Sequence, residues 1–568
     1  MMNFLPAGED GLLIDVPDLQ TAMALHAAIA EDRERPGSVL RFLGRVVPAA
    51  HTVLVQFDSA LAPRSRIIEA LRLLDVRPRG ERAAREVTID VIYNGEDLPA
   101  VARLLGVSEQ EIVERHARHP WTAAFVGFAP GFTYLSGGDP LFDVPRRPTP
   151  RVVVPAGSVG LAGTFSGVYP RESSGGWQLL GVTTAPVWDE RRNPPAAIRP
   201  GDVVRFRPVR ERYALASLDD REECSGGKDT RGGGFLPEAD RGDSRRSRET
   251  PRHTDGGPRV TGIRVDSPGM LAVFEDGGRS ASDMGVTGSG AVDRPALRRA
   301  NRLVGNERNL AALEVTGGNM RFTAQGEVVV CVAGANVPIS IVATDGSRSR
   351  IEDERAVIVC DGESVELGSP RTGWRDYIAM QGGFDVRPVL GSASRDTMSG
   401  IGPDPVLPGD FLACGLHGFS VVGEPSPWPD LPRKGDTTEL EVVVGPRDDW
   451  FTPGSMHLLF AQTWLVTARS NRVGVRLEGD CAMQRCVTRE LASEGTVCGA
   501  IEIPSDGQPV LFLRDQPVTG GYPVAAVLTP RSLQLAGQLP AGARIRFTRH
   551  TPRRTSMDNN SQGAVRHA

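Results

Sequence analysis

The sequence predicts a β-rich α+β protein in two halves. A small ferredoxin-like α/β domain opens the first half, and a compact β-barrel closes each. Three observations predict this. Gly (65) and Pro (44) supply nearly a fifth of the 568 residues, against about 12% in average usage, and such punctuation suits short strands joined by turns. A polar, Gly- and Arg-rich stretch over 210–258 divides the chain. The end of the first half is echoed at the end of the second.

Residues 1–82 read as the α/β domain. Leu12 to Val16 is a strand, and Asp18 can cap a helix whose Ala22, Leu25 and Ile29 recur at helical spacing. Val53, Val55 and Phe57 alternate as a half-buried strand does, and Ile67, Leu71 and Leu74 mark a second helix. The order β-α-β-β-α-β suggests the ferredoxin-like sandwich. Over 83–209 only Leu98 to His116 reads as helix. The remainder is short apolar runs cut by Gly and Pro, as in a barrel.

Residues 210–258 hold almost no large apolar group, cannot offset ordering entropy, and are expected to be a disordered linker. About 49 flexible residues reach roughly 35–42 Å, enough for the halves to pair. A β-rich α/β domain follows over 259–435, a barrel over 436–551, and a disordered tail over 552–568. The echo joins the two barrels. Gly175-Gly176 precedes Phe206 of Arg205-Phe206-Arg207, and Gly520-Gly521 precedes Phe547 of Arg546-Phe547-Thr548. Each pair follows a Val/Ile-Pro, and each final strand follows a Pro-containing turn.

Composition excludes several chemistries. The net charge of −5 gives no basic excess for nucleic acid. Only two lysines occur, Lys228 and Lys434, and neither completes G-x-x-x-x-G-K-S/T, so there is no P-loop. Neither suits a biotinyl carrier or a Ser-Ser-Lys amidase. Ala156-Gly157-Ser158-Val159-Gly160 fails the nucleophile-elbow pattern at its first position. Seven cysteines lack C-x-x-C spacing, so reduced thiols in a cytoplasmic protein are expected, without a metal site. The N-terminus has no signal-peptide pattern, and no apolar run suggests a membrane span.

The densest motif region is 119–181. Gly127-Phe128-Ala129-Pro130-Gly131-Phe132 makes an irregular turn that lets backbone approach a ligand. Arg146, Arg147 and Arg151 follow on a Pro-stiffened loop, arranged either for carboxylate or phosphate oxygens or as a solvated rim. His116 is a proton carrier or a dipole partner at a helix C-terminus. In the second half Glu275-Asp276-Gly277-Gly278-Arg279 and Asp293 place carboxylates on turns, as bases or as Asx-turns. Asn301, Arg472 and Glu494 complete the polar candidates there.

Taken together, GFAPGFTYL, PRRPTPRVVVPAGSVGLAG, VYP and GGWQLLG resemble the family called allophanate hydrolase subunit 1, or the 5-oxoprolinase B subunit. EDGGR, SGAVD, ANRLVGNERNLAALEVTGG, QGGFDVRPVLGSASRDT, SNRVGVRLEG, SEG, GAIEIP and TGGYP resemble the partner family, allophanate hydrolase subunit 2, or the 5-oxoprolinase C subunit. The chain resembles a fusion of the two, similar to the carboxyltransferase region of urea carboxylase. The resemblance implies a cyclophilin-like barrel at the end of each half. It also implies ATP- and Mg²⁺-dependent opening of a cyclic amide, 5-oxo-L-proline plus water giving L-glutamate, with a separate A-type subunit.

On that reading Arg146, Arg147, Arg151, Arg279 and Arg472 offset phosphate charge, and Asp276, Asp293, Glu494 and His116 are candidate acid–base groups. Phe128, Tyr169, Asn301 and Tyr522 line the substrate. Two rivals stand beside it: a carboxyltransferase served by a biotin carrier in trans, and a regulator that binds a histidine kinase. The chain departs from the family pattern at Glu275 and Glu502, where the motifs carry Gln. Either the substrate differs from 5-oxoproline, or these two Glu are protonated or paired.

Overall fold

The computed structural model describes residues 2–77, 84–210 and 260–551. The expected linker beyond Arg210, with Lys228, and the expected tail 552–568 lie outside the described residues.

The N-terminal sheet is antiparallel, in the order Asn3–Pro6, Gly11–Asp15, Thr52–Phe57, Leu43–Pro48. Asp18 caps helix Leu19–Arg33, its carboxylate accepting from Thr21 N at 2.7 Å. The chain order is β-β-α-β-β-α, which corrects the expected β-α-β-β-α-β. The spatial plan is still ferredoxin-like, because Asn3–Pro6 takes the edge place that a strand after helix Arg64–Arg72 would fill.

The alternation expected over Val53–Phe57 needs a second correction. Leu12, Ile14, Val53 and Val55 face the domain's helices. The opposite face, with Leu13, Val47 and Leu54, packs on Val497, Ala500, Phe512, Val518, Val524 and Val527 of the second barrel. Successive residues point to opposite faces, and both faces are covered, so the strands are apolar throughout.

The first barrel runs in cyclic order Glu86–Val91, Gln178–Val182, Ser158–Ala162, Phe165–Val168, Thr133–Ser136, Trp121–Val126, Val203–Pro208. Ile92 and Val182 exchange two 2.9 Å hydrogen bonds that close it. The second runs Thr437–Val444, Val524–Leu528, Ala500–Glu502, Val510–Phe512, Gly474–Glu478, Trp464–Val466, Arg544–Arg549, and is closed. The topologies are identical, with first and last strands parallel in each. A buried Trp marks the same place in both: Trp121 Nε1 donates to His116 O and Trp464 Nε1 to Leu459 O, each at 3.1 Å. Gly175 pairs with Arg151 where Gly520 pairs with Glu494.

Between the barrels in sequence lie a six-stranded and a five-stranded sheet sharing one core, to which Ile263, Phe322 and Val365 contribute from one and Phe274, Leu313, Val330 and Ile378 from the other. The alternate residues Cys331, Ala333, Tyr377 and Ala379 point outward against helix Arg294–Leu303. Glu275, Glu314 and Arg375 share that outer face by the same period-two rule.

Candidate functional site

The turn 127–132 is wedged between domains. Phe128 has φ +62°, a conformation that a bulky residue rarely adopts. Its N–H donates to Thr519 Oγ1 of the second barrel at 3.1 Å. Gly131 N donates to Met284 O at 3.0 Å, and Tyr134 OH lies 3.3 Å from Ser493 Oγ. Phe128, Phe132, Tyr134, Tyr169 and Trp177 stack edge to face behind the turn. A Cβ on Gly127 would fall inside the Thr519 hydroxyl. Gly127→Ala should therefore destabilise the chain by about 1–3 kcal/mol, the usual cost of overpacking. Adding Thr519→Ala should recover part of the loss in urea titrations.

Below the turn, Arg147 and Arg151 both reach Asp97 Oδ1 at 2.8 Å, and Arg151 adds Glu96 at 3.1 Å. Burial opposes ionisation of Asp97, yet Arg151, the Leu179 amide and Arg147 outweigh it and hold the carboxyl below its ordinary value. Two of the three arginines are thus paired within their own barrel. Arg146 points the other way, to Glu490 of the second barrel at 3.9 Å.

The second barrel carries the same ion pair with its signs exchanged. Gly95 N bonds Leu180 O and Gly445 N bonds Ala525 O, so Asp97 and Arg447 stand at matching positions. Their partners, Arg151 and Glu494, match as well. Arg447 grips both carboxylate oxygens of Glu494 and reaches Asp15 of the N-terminal sheet at 2.6 Å. Glu494 is therefore one side of an inter-domain ion lock, and burial pushes its carboxyl up despite Arg447.

The second-half candidates meet where the outer sheet face touches the second barrel. Arg472 is 1% exposed. It contacts Glu314, Glu275 at 3.0 Å, Asp515 at 3.0 Å and Gly290 O at 2.9 Å. Arg375 Nε lies 3.4 Å from the same Glu314, and Tyr377 OH donates to Glu314 at 2.6 Å. Three carboxyls thus face two guanidiniums. Burial, with Glu314 and Asp515 close by, pushes Glu275 well above the ordinary range against the pull of Arg472. Burial thus favours the neutral form of Glu275, a group shaped like Gln.

Asp276 is saturated: its oxygens accept from Gly278 N, Ser392 Oγ, Ala393 N and Ser394 Oγ at 2.6–2.8 Å. Those bonds hold the turn that presents Arg279. Arg279 donates to Ser394 O through Nη2, while its buried Nε and Nη1 have no hydrogen-bond partner among the described residues.

The placement of His116 corrects its expected role. His116 is wholly buried inside the first barrel, with Nδ1 2.7 Å from Tyr93 OH and Nε2 2.9 Å from Ser166 Oγ. Burial drives its pKa down to about 3, so it is a neutral core group, neither proton carrier nor exposed dipole partner. Asp293 caps helix Arg294–Leu303 through Ala296 N at 3.1 Å and takes Gln538 Nε2 at 2.9 Å. Asn301 bonds Leu310 O and Asn306, a backbone clamp. Tyr522 is half exposed beneath Arg485, whose guanidinium lies 5.6 Å from the ring centroid.

Sequence reasoning missed Glu314, Asp515, Asp97 and Arg447. Glu314 left a trace as a lone charge within the apolar run Ala311-Ala312-Leu313-Glu314-Val315. A cleft of about 490 Å³ lined by Glu327, Met380, Gln381, Cys414, His417 and Phe419 includes none of the expected residues.

Two family models match: carboxyltransferase domain, subdomains C and D, over 2–198, and subdomains A and B over 284–549. The second half is 31% identical to the C subunit of 5-oxoprolinase from Escherichia coli, across 50% of this chain and 90% of that protein. The chain belongs to the carboxyltransferase-domain family. The first half is 40% identical to the B subunit of 5-oxoprolinase from Bacillus subtilis, across 33% of this chain and 83% of that protein. The solved structure of TTHA0988 superposes with TM-score 0.75 at 31% identity, over 95% of this chain and 99% of that one. This member of the family is a fusion of a B-like and a C-like half. Among the described residues no helix is long and apolar enough to cross a membrane.

Proposed function

We propose that the chain is the cytoplasmic, fused B/C component of an ATP-dependent cyclic-amide hydrolase, working with a separate A-type subunit on 5-oxo-L-proline or a close lactam. One observation carries this. A B-like and a C-like half, each matched over most of its 5-oxoprolinase counterpart, pack within one chain along a shared seam. A lactam carbonyl is a poor electrophile, and phosphorylation of its oxygen by ATP would prepare it for water. Such a step needs fixed cations where charge develops. Arg279 suits that role, being buried with two donor nitrogens unengaged, and Arg146 sits at the barrel–barrel seam. Mg²⁺ would accompany the phosphates of ATP.

The test is release of glutamate and phosphate from 5-oxo-L-proline, ATP and Mg²⁺, with and without an A-type subunit. Turnover only in the combined mixture supports the proposal, and none in either counts against it. Arg279→Gln should then lower kcat/KM at least tenfold.

The family's carboxyltransferase description favours a second reading, transfer of a carboxyl group from a biotin carrier. With lysine only at 228 and 434, the carrier lies outside this sequence, and activity that depends on added biotinylated protein would select this reading.

A further inference from the structure

Three arginines from three domains act on one thiol, Cys498, and Asp515 is the carboxylate that opposes them there. Arg45, on strand Leu43–Pro48, donates to Thr496 O at 3.0 Å, two residues before Cys498, and to Val518 O at 3.3 Å, which Thr496 N also reaches. Gly499 N donates to Phe512 O at 2.9 Å, which sets Cys498 beside the segment carrying Arg514. Arg294, the first residue of helix Arg294–Leu303, donates to Gly277 O at 2.9 Å. Burial pushes the Cys498 thiol up, Asp515 adds to this, and Arg514, Arg294 and Arg45 pull against them. Repulsion from Arg514, more than burial, depresses Arg294 to about 10.

None of the three has an ion pair among the described residues. The Nε of each is buried and unpartnered, and the guanidinium of Arg514 makes no hydrogen bond to any described residue. The nearest carboxylates are engaged elsewhere. Asp276 takes four donors, and Asp515 is held by Arg472, Ser289 and Thr397. Like charges brought together in a desolvated place repel unless an anion joins them, and convergent guanidiniums match the oxygens of a phosphate group.

We propose that this three-domain junction, formed by Arg45, Arg294 and Arg514 around Cys498, is a binding site for a phosphate-class oxyanion. The anion would bridge the N-terminal sheet, the double-sheet domain and the second barrel, so its binding tightens the whole assembly. The site stands apart from the choice of reaction, because binding is read without turnover.

The test is thermal unfolding of the full chain with inorganic phosphate titrated against NaCl at equal ionic strength. Phosphate should raise the midpoint beyond the salt control. Arg514→Gln and Arg294→Gln should each weaken the phosphate response about tenfold, and Arg350→Gln, on an exposed strand, should leave it unchanged. Arg514→Gln is expected to fold, since its guanidinium holds no protein group. Titrating ADP separately finds the source: a response as strong as that to phosphate points to a nucleotide's phosphoryl group, and a response to phosphate alone points to the free ion. No phosphate effect beyond the salt control would overturn the proposal.

Discussion

Arg472→Met should lower the unfolding free energy by about 3–5 kcal/mol, the scale of stripping one partner from a buried ion network. Arg472 is the group that Glu275, Glu314 and Asp515 share. Without it their charges would face Arg375 and Arg279 alone among the described arginines that act on them. Arg472→Lys should recover little, because a single ammonium cannot span three carboxyls as a planar fork does. Glu275→Gln provides the contrast. It copies the protonated acid, and near neutral pH it should hold stability within about 1 kcal/mol of the parent or raise it. Urea titrations of the three variants check this. Equal losses in Arg472→Met and Glu275→Gln would mean that Glu275 is ionised and part of the balance.

Glu502→Gln should flatten the loss of stability with rising pH. Glu502 is buried in the second barrel beside Gly520, with Oε1 unpartnered. Burial, with Glu494 adding to it, raises its pKa to about 8 against the pull of Arg485. The folded pKa lies above the unfolded value of about 4.3, so the native state binds the extra proton. That contribution is whole below about pH 4 and is lost as pH climbs toward 8. The shift sets a ceiling of about 5 kcal/mol, and relaxation would leave a few. The variant should match the parent at pH 4–5 and exceed it in unfolding midpoint by pH 8. Parallel pH profiles would show Glu502 ionised throughout. Both Gln-to-Glu departures thus fall on buried carboxyls pushed toward neutrality.

How much was legible depends on the range of the signal. The barrel echo was legible because glycines at close backbone approaches leave fixed marks: Gly175 and Gly520 sit at the same register in both barrels. The permuted edge strand was not, because Asn3–Pro6 is too short to show a period. The apolar alternation at Val53 hid a second covered face, since a strand carries no label for what packs on it. Arg472 could be singled out, but its partners lie at 275, 314 and 515, and only folding brings them together. His116 had a local signal that went unused. It stands four residues after Ile112, on the buried face of helix Glu109–Arg118.

The N-terminal sheet has a consequence for how the chain is made. Its outward face of Leu13, Val47 and Leu54 meets partners that begin at Val497, more than 440 residues later in the sequence. At roughly 5–20 residues per second, a ribosome would need roughly 20–90 s to deliver them. For that interval an apolar patch waits uncovered on a domain that is otherwise ready to fold. Synthesis in the opposite order would not impose the same delay on it. The nascent chain therefore calls for a holding chaperone or slow closure of the sheet, and fusing the halves keeps the missing surface at hand as soon as it emerges.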